Sequence, residues 1–171
     1  MRSRLQVASH FHNLMIPVSL PYASQTFDVV LSVGVLEHVR ETGGDELSSL
    51  LEIHRVLKPD GVFLCAHLPN RYSWIEAVVR HLNRPSLYTH PYRYTRKDIA
   101  SLAKLAGFRT EVIRSYGLVP RNPLSTLPPR VRDSAAFVKL VDGMDDILRI
   151  VLRGLCQNHA WVGRPCPAFR S

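Results

Sequence analysis

Glycine-rich loops are missing from this sequence. No G-x-G-x-x-G follows any stretch that reads as a strand, which disfavours a dinucleotide-dependent dehydrogenase. Cysteine is scarce: Cys65, Cys156 and Cys166 are odd in number and show no C-x-x-C spacing. That supports neither a disulfide framework nor a zinc site. No apolar run reaches the length of a membrane span. The opening Met1-Arg-Ser-Arg-Leu-Gln6 lacks the apolar core of a secretory signal, so the expected location is cytoplasmic. Repeats and low-complexity tracts are absent too. Acidic residues are thin in one region. Residues 1–70 hold 5 Lys/Arg against 7 Asp/Glu, residues 71–132 hold 12 against 3, and residues 133–171 hold 5 against 4, so the net charge of +8 belongs to the middle segment. The surplus suits either a solvated helical surface or an anionic partner: a substrate, an acidic membrane surface or nucleic acid.

What is present is an almost continuous apolar run, Phe27-Asp-Val-Val-Leu-Ser-Val-Gly-Val-Leu-Glu-His-Val39, ending in the polar pair Glu37-His38. A run this short reads as a strand over about 28–36, buried on both faces. Asp45 then caps a helix over about 46–57, with Leu47, Leu50, Leu51, His54 and Leu57 at helical steps. Pro59-Asp-Gly61 is turn chemistry, and Val62 to Leu68 reads as a second buried strand. Strand, helix, strand is a βαβ unit, and its ligand side is the carboxyl end of the strands.

Downstream, Ser73-Trp-Ile-Glu76 has the form of a capping box for a helix to about Leu82. Residues 83–94 form an aromatic, proline-containing loop. Thr95 and Asp98 cap a helix that Gly107 ends, and Phe108–Tyr116 reads as a strand. A proline-rich stretch (117–130) leads to one or two helices over about 131–154, interrupted near Gly143. Cys156–Val162 reads as the last strand, ended by Gly163-Arg-Pro165.

Leu20-Pro-Tyr22, the Phe27–Val39 run and Glu52-Ile-His-Arg-Val-Leu-Lys-Pro-Asp-Gly61 together resemble class I S-adenosylmethionine-dependent methyltransferases. The nearest branch is the small-molecule one typified by ubiquinone and menaquinone biosynthesis. Thr89 to Ile99, with Ala106-Gly-Phe108 after it, is similar to the same branch. The resemblance is good over about residues 16–116. It implies an α/β fold: an incomplete Rossmann-like methyltransferase sheet, with strands 4, 5, 6 and 7 of the family and perhaps strand 3, flanked by helices. The chain reads as one partial domain over 1–171, ill-defined over 1–20, with residues 117–155 inserted before the last strand.

The family's G-x-G-x-G loop and the acidic residue that holds the ribose have no counterpart here, and Met15-Ile-Pro-Val18 stands where an adenine-contacting acid is common. At roughly 30 residues per βαβ unit, about 60 residues of the family pattern are not matched. The expectation is a truncated chain that is inactive alone; a degenerate domain or one completed by a partner are the alternatives.

By resemblance, Ser32, Val33 and Gly34 face the methionine end of S-adenosylmethionine. His38 is either a general base or a packing group beside the cofactor. Asn70, His90 and Tyr92 fall where the fold builds its pocket for a small-molecule acceptor. No metal is expected, because Glu37-His38 has no third ligand at matching spacing. The Asp/Asn-Pro-Pro-aromatic motif of DNA amino-methylating enzymes is replaced by Ser32-Val-Gly-Val35, so O- or C-methylation is the leading reading. A non-catalytic binding or scaffold module derived from the fold, or an RNA-associated methyltransferase, are the alternatives. Residues 71–132 suit peripheral contact with a membrane or another acidic surface, and nucleic acid is the weaker option.

Overall fold

A computed structural model describes residues 19–82, 90–120 and 127–167. Residues 1–18, where a strand 3 of the family would fall, residues 83–89 of the aromatic loop and residues 121–126 of the proline-rich stretch lie outside them. Strand β1 is Phe27–Val33, helix α1 is Glu46–Val56, and β2 is Leu57–Pro69. Helices α2 (Trp74–Leu82) and α3 (Arg96–Leu105) precede β3 (Phe108–Tyr116). Helices α4 (Pro129–Arg132) and α5 (Ala135–Leu152) precede β4 (Asn158–Pro165). The sheet order is β1-β2-β4-β3. β1 and β2 are parallel, and β4 runs antiparallel to both its neighbours.

Several boundaries differ from the sequence reading, each for a local reason. β1 stops at Val33 because Gly34 takes φ 66°, which turns the chain out of the strand. The Glu37-His38 pair therefore sits on a short 3-10 helix, Leu36–Thr42. Pro59-Asp-Gly61 does not separate helix from strand. It is a bulge inside β2, where the pairing steps from Phe27↔Leu57 to Val29↔Val62. A Cβ on Gly61 would lie 2.9 Å from the Lys58 carbonyl and 3.2 Å from that of Asp28, so only glycine fits the bulge.

Helix α5 runs through Gly143 unbroken; the helical stretch is interrupted earlier, at Asp133 and Ser134. β4 continues through Gly163, where a Cβ would lie 2.9 Å from the Trp161 ring. Thr95 and Asp98 form the expected capping box. Ser73 caps α2 through the Glu76 amide (3.3 Å), but the Glu76 carboxylate turns to His90 instead of back to Ser73.

One face of the sheet is covered by α1 and α3. Leu50 and Ile53, Ile99 and Ala103 pack there on Phe63, Phe108 and Trp161. Trp161 meets Phe63 edge-on at 5.2 Å and Phe108 at 5.6 Å. The loop before β1 is tied to α1. Glu52 accepts from the Leu20 amide at 2.8 Å, and Arg55 reaches the Leu20 carbonyl at 3.2 Å. The opposite row of β1 is open: Val29, Leu31 and Val33 are 47–65% exposed. Among the described residues no helix is long and apolar enough to cross a membrane.

Cys65 is buried in β2, and burial pushes its thiol up to about 12, with the Glu37 charge adding to it. Iodoacetamide at pH 8 is expected to label the half-exposed Cys166 and spare Cys65, which peptide mass mapping of the native protein checks.

Candidate functional site

At the carboxyl ends of β1, β2 and β3 lies a cavity of about 760 Å³. This is the edge where open α/β sheets bind ligands. Gly34 and Glu37 line it after β1, and His67 at the end of β2. Ile75 and Val79 come from α2, and His90 from the following loop. Tyr116, Gly117, Val119 and Pro120 leave β3, Asp145 stands on α5, and Gln157 and Asn158 enter β4.

Glu37 and His90 stand in its wall, with His38 behind them. Glu37 is 3% exposed, and its Oε2 is buried without a hydrogen-bond partner among the described residues. His38 Nδ1 lies 3.0 Å from Glu41 Oε1, and His90 Nδ1 lies 2.8 Å from Glu76 Oε1. The two imidazoles stand 6.1 Å apart, centre to centre. Burial opposes ionisation of Glu76, yet the hydrogen bond and charge of His90 prevail and hold its carboxyl below its ordinary value.

His67 is the one feature here with a strained backbone. It is non-glycine at φ 65°, in a register shift of β2, with its N–H donating to the Tyr116 hydroxyl at 2.9 Å. The rings stack edge-on at 5.8 Å. Burial raises the pKa of the Tyr116 hydroxyl. Asp145 closes the far side. Its carboxylate accepts from the amides of Leu118 and Val119 at 2.7 Å and of Gly117 at 3.3 Å, which pins α5 to the exit of β3.

The residues nominated from sequence are only partly brought together. Gly34 and His90 line the cavity, and His38 stands behind them beside Glu41. Ser32 is buried, and Val33 is 47% exposed on the open row of β1. Asn70 is 1% exposed. Its amide donates to the carbonyls of Gly154 and Cys156 at 2.7 Å and its oxygen accepts from the Tyr72 amide, so the structure gives it a structural part joining β2 to the approach to β4.

Tyr92 faces a separate recess of about 520 Å³, under the Arg40 guanidinium at 5.0 Å. Arg40 there donates twice to the buried Glu46, at 2.9 and 2.8 Å, and the Tyr94 hydroxyl donates to the same carboxylate at 2.6 Å. Burial, then Glu46, drives the Tyr94 pKa far upward. This knot ties the 3-10 helix to α1 and to the loop before α3. His67 and Asp145 had no signal in the sequence, since each owes its place to a partner 26 or more residues away, and Glu76 was legible only as a helix cap.

A sheet ordered β1-β2-β4-β3, its third strand reversed and helices on its flanks, is the Rossmann-like methyltransferase fold, present here in part. Residues 5–65 match a family model described as a methyltransferase domain. No curated protein matches the sequence. Among solved structures, the chain is similar to an S-adenosylmethionine-dependent methyltransferase from Thermotoga maritima (18% identity, TM-score 0.56, covering 87% of this chain and 61% of that one). A methyltransferase of that kind from Methanosarcina mazei gives 13% identity and TM-score 0.53, covering 88% and 64%. A complex of the Haloferax volcanii Trm112 methyltransferase activator with a methyltransferase gives 16% and 0.54, covering 91% and 60%. This chain thus spans less than two thirds of the length of each. What the chain has in common with these methyltransferases is the fold, in part, and the match over residues 5–65.

Proposed function

We propose that this chain is the acceptor-side part of an S-adenosylmethionine-dependent methyltransferase, working on oxygen or carbon of a small hydroxyl-bearing acceptor. The observation that carries the reading is the cavity at the strand ends, where the Gly34 backbone, the apolar Ile75 and Val79, and the Glu76–His90 pair face one space. The fit to the cofactor is confined to its methionine end. There Ser32 and Val33 lead into Gly34, whose open backbone allows close approach.

The cofactor supplies an electrophilic methyl group on a sulfonium, so the chain's own task is alignment and exclusion of water. The cavity walls hold the acceptor, Ile75 and Val79 keep its surroundings apolar, and the histidines of the cluster take its proton. For His90 the receiving atom is Nε2, because Glu76 engages Nδ1. His38, with Nδ1 on Glu41, is the second base.

The sequence offers no G-x-G-x-G cradle for the rest of the cofactor. Calorimetry of the 171-residue chain is therefore expected to show S-adenosylhomocysteine binding no tighter than millimolar; micromolar affinity would mean the cradle is dispensable. The reading itself is tested with millimolar tritiated S-adenosylmethionine and a panel of phenols and hydroxy acids. Transfer that falls about a hundredfold in His90→Ala is expected from the loss of a general base. If nothing is transferred, and no acceptor shifts the Ile75 and Val79 methyl resonances, the reading fails.

The exposed row Val29, Leu31 and Val33 favours a second reading, a binding or scaffold module derived from the fold. The Haloferax complex is the parallel for a protein partner. Such a module would bind its partner with the cluster histidines replaced.

A further inference from the structure

The recess beside Tyr92 gathers more positive charge than the acids around it engage. We propose that it binds a small organic molecule through a phosphate group, at a site separate from the cavity at the strand ends.

Three arginines line the recess, from three parts of the chain. Arg40 comes from the 3-10 helix, Arg71 from the turn after β2, and Arg93 from the loop before α3. The two carboxylates in the same wall are already taken. Glu46 is 3% exposed and accepts from Arg40 Nε and from the Tyr94 hydroxyl. Asp98 accepts from the Thr95 amide in the capping box of α3. The arginines keep capacity to spare. Arg40 meets Glu46 through Nε alone, and its two terminal nitrogens make no hydrogen bond among the described residues. The exposed Arg71 side chain makes no hydrogen bond or ion pair among them either.

Arg93 adds an independent sign. Its Nε and Nη1 are buried and have no hydrogen-bond partner among the described residues. Glu76 feels the Arg93 charge, after burial and His90, but no hydrogen bond joins the two. A buried charged donor without an acceptor is costly. An anion in the recess would give this fork its acceptors, through a turn of the side chain and no movement of the backbone.

The number of forks selects the anion. Guanidinium groups from three sides exceed what the two oxygens of a carboxylate can use, and they suit the tetrahedral oxygens of a phosphate. The recess of about 520 Å³ is the size of an organic ligand's pocket, too large for a bare inorganic ion. Pro91, Tyr92, Leu102 and Leu105 add apolar surface beside the arginines, so an organic body has something to lie on. Lys97 and Lys104 flank Ser101 on α3 at steps of four and three residues, and strengthen the positive field at the rim. RNA calls for cations spread along a track of phosphates, whereas these converge on one recess.

The recess shares no lining residue with the cavity, although one loop serves both: His90 faces the cavity, and Tyr92 and Arg93 face the recess. The site therefore stands apart from the methyl-transfer reading.

Calorimetry of the 171-residue chain, in phosphate-free buffer of low ionic strength, tests the site with phenyl phosphate, inorganic phosphate and benzoate. One equivalent of phenyl phosphate is expected to bind, about tenfold tighter than either of the other probes, and to weaken as salt is added. Arg71→Gln and Arg93→Gln should each weaken it about tenfold or more, the size of a lost charge-assisted hydrogen bond. Arg71 is exposed, so its replacement keeps the fold even where that of the partly buried Arg93 does not. Arg40 is left in place, because removing it would strand the buried Glu46. Lys139→Gln on α5 removes the same charge outside the recess and should bind as the unmodified chain does.

Absence of saturable binding overturns the site, as does binding that Arg71→Gln leaves unchanged. Equal weakening in Lys139→Gln also overturns it, since that is general attraction to a cationic protein. Inorganic phosphate bound as tightly as phenyl phosphate overturns the organic body. Sedimentation with mixed phosphatidylcholine and phosphatidic acid vesicles separates the sources of the phosphate. A chain that sediments through Arg71 yet ignores phenyl phosphate reads a lipid headgroup, and the small-molecule site falls. No cofactor or methyl acceptor is present, so a failure of methyl transfer leaves every one of these outcomes as it is.

Discussion

Asp145→Ala is expected to lower stability by about 3–5 kcal/mol and to release α5 from the sheet, because it strips a common acceptor from three amides at once. Each buried donor left unmet is worth about 1–3 kcal/mol, and a charged acceptor sits at the upper end of hydrogen-bond strengths. Among the described residues, the Arg114–Asp146 pair at 3.8 Å is a further, exposed tie between α5 and β3. Ile147, Ile150 and Val151 are 69–82% exposed, and Val141 is its one buried apolar side chain. For a chain of this size the loss corresponds to a fall in melting temperature of roughly 10 °C. Thermal and urea melts measure it. Asp145→Asn keeps one acceptor oxygen without the charge and should recover part of the difference. A melt unchanged in Asp145→Ala would show that α5 is held by something other than this carboxylate. The same carboxylate lines the cavity, so the wall formed by Val119 and Pro120 should loosen with it.

Acidification is the second large effect. His159 in β4 is 2% exposed, with Nδ1 2.9 Å from the Ser115 hydroxyl. Burial, then the Arg96 charge, holds its pKa down to about 4 from an ordinary 6.5. The folded state therefore keeps a neutral ring. Above pH 6.5 both states are neutral and stability is level. Below it the unfolded chain takes up a proton that the folded one refuses, and stability falls by about 1.4 kcal/mol per pH unit. The fall ends near pH 4, where the folded ring also protonates, at a total of about 3 kcal/mol. His54, lowered by burial as well, adds in the same direction. Urea midpoints between pH 7 and 4 measure the slope. His159→Gln should flatten most of it, and a slope retained in that variant would assign the effect to other groups.

The parts of the structure legible in the sequence are those set by local chemistry. The apolar runs around Val30 and Phe63, the Asp45 and Thr95 caps and the Gly107 stop all reappear as strands, N-caps and a helix end. Where long-range contacts decided, reading by pattern failed. Pro59-Asp-Gly61 looks like a turn, yet pairing with β1 absorbs it as a bulge. Gly163 looks like a strand end, yet β4 runs on through it. Glu37-His38 was visible as a polar tip. Its company was not, because His90 arrives from 52 residues downstream and Glu76 from another helix. Linear distance hides such meetings: His90 comes from a loop to stand beside the Glu37-His38 pair. Asn70 and Tyr92 were chosen for their place beside a strand end. Asn70's hydrogen bonds and the Arg40–Tyr92 stack show what the sheet edge spends them on.

The strand order also dictates a sequence of assembly. β3 has no contact with β2 in the sheet; β4 lies between them. Residues 108–116 can join the sheet only once residues 158–165 have been made, so synthesis must pass β4 before half of the sheet can close. Until then Phe63 and Phe108 lack Trp161, whose ring packs edge-on against both. A nascent chain halted anywhere before Asn158 would hold the β1–β2 pair alone and leave β3 as an unpaired, aggregation-prone segment.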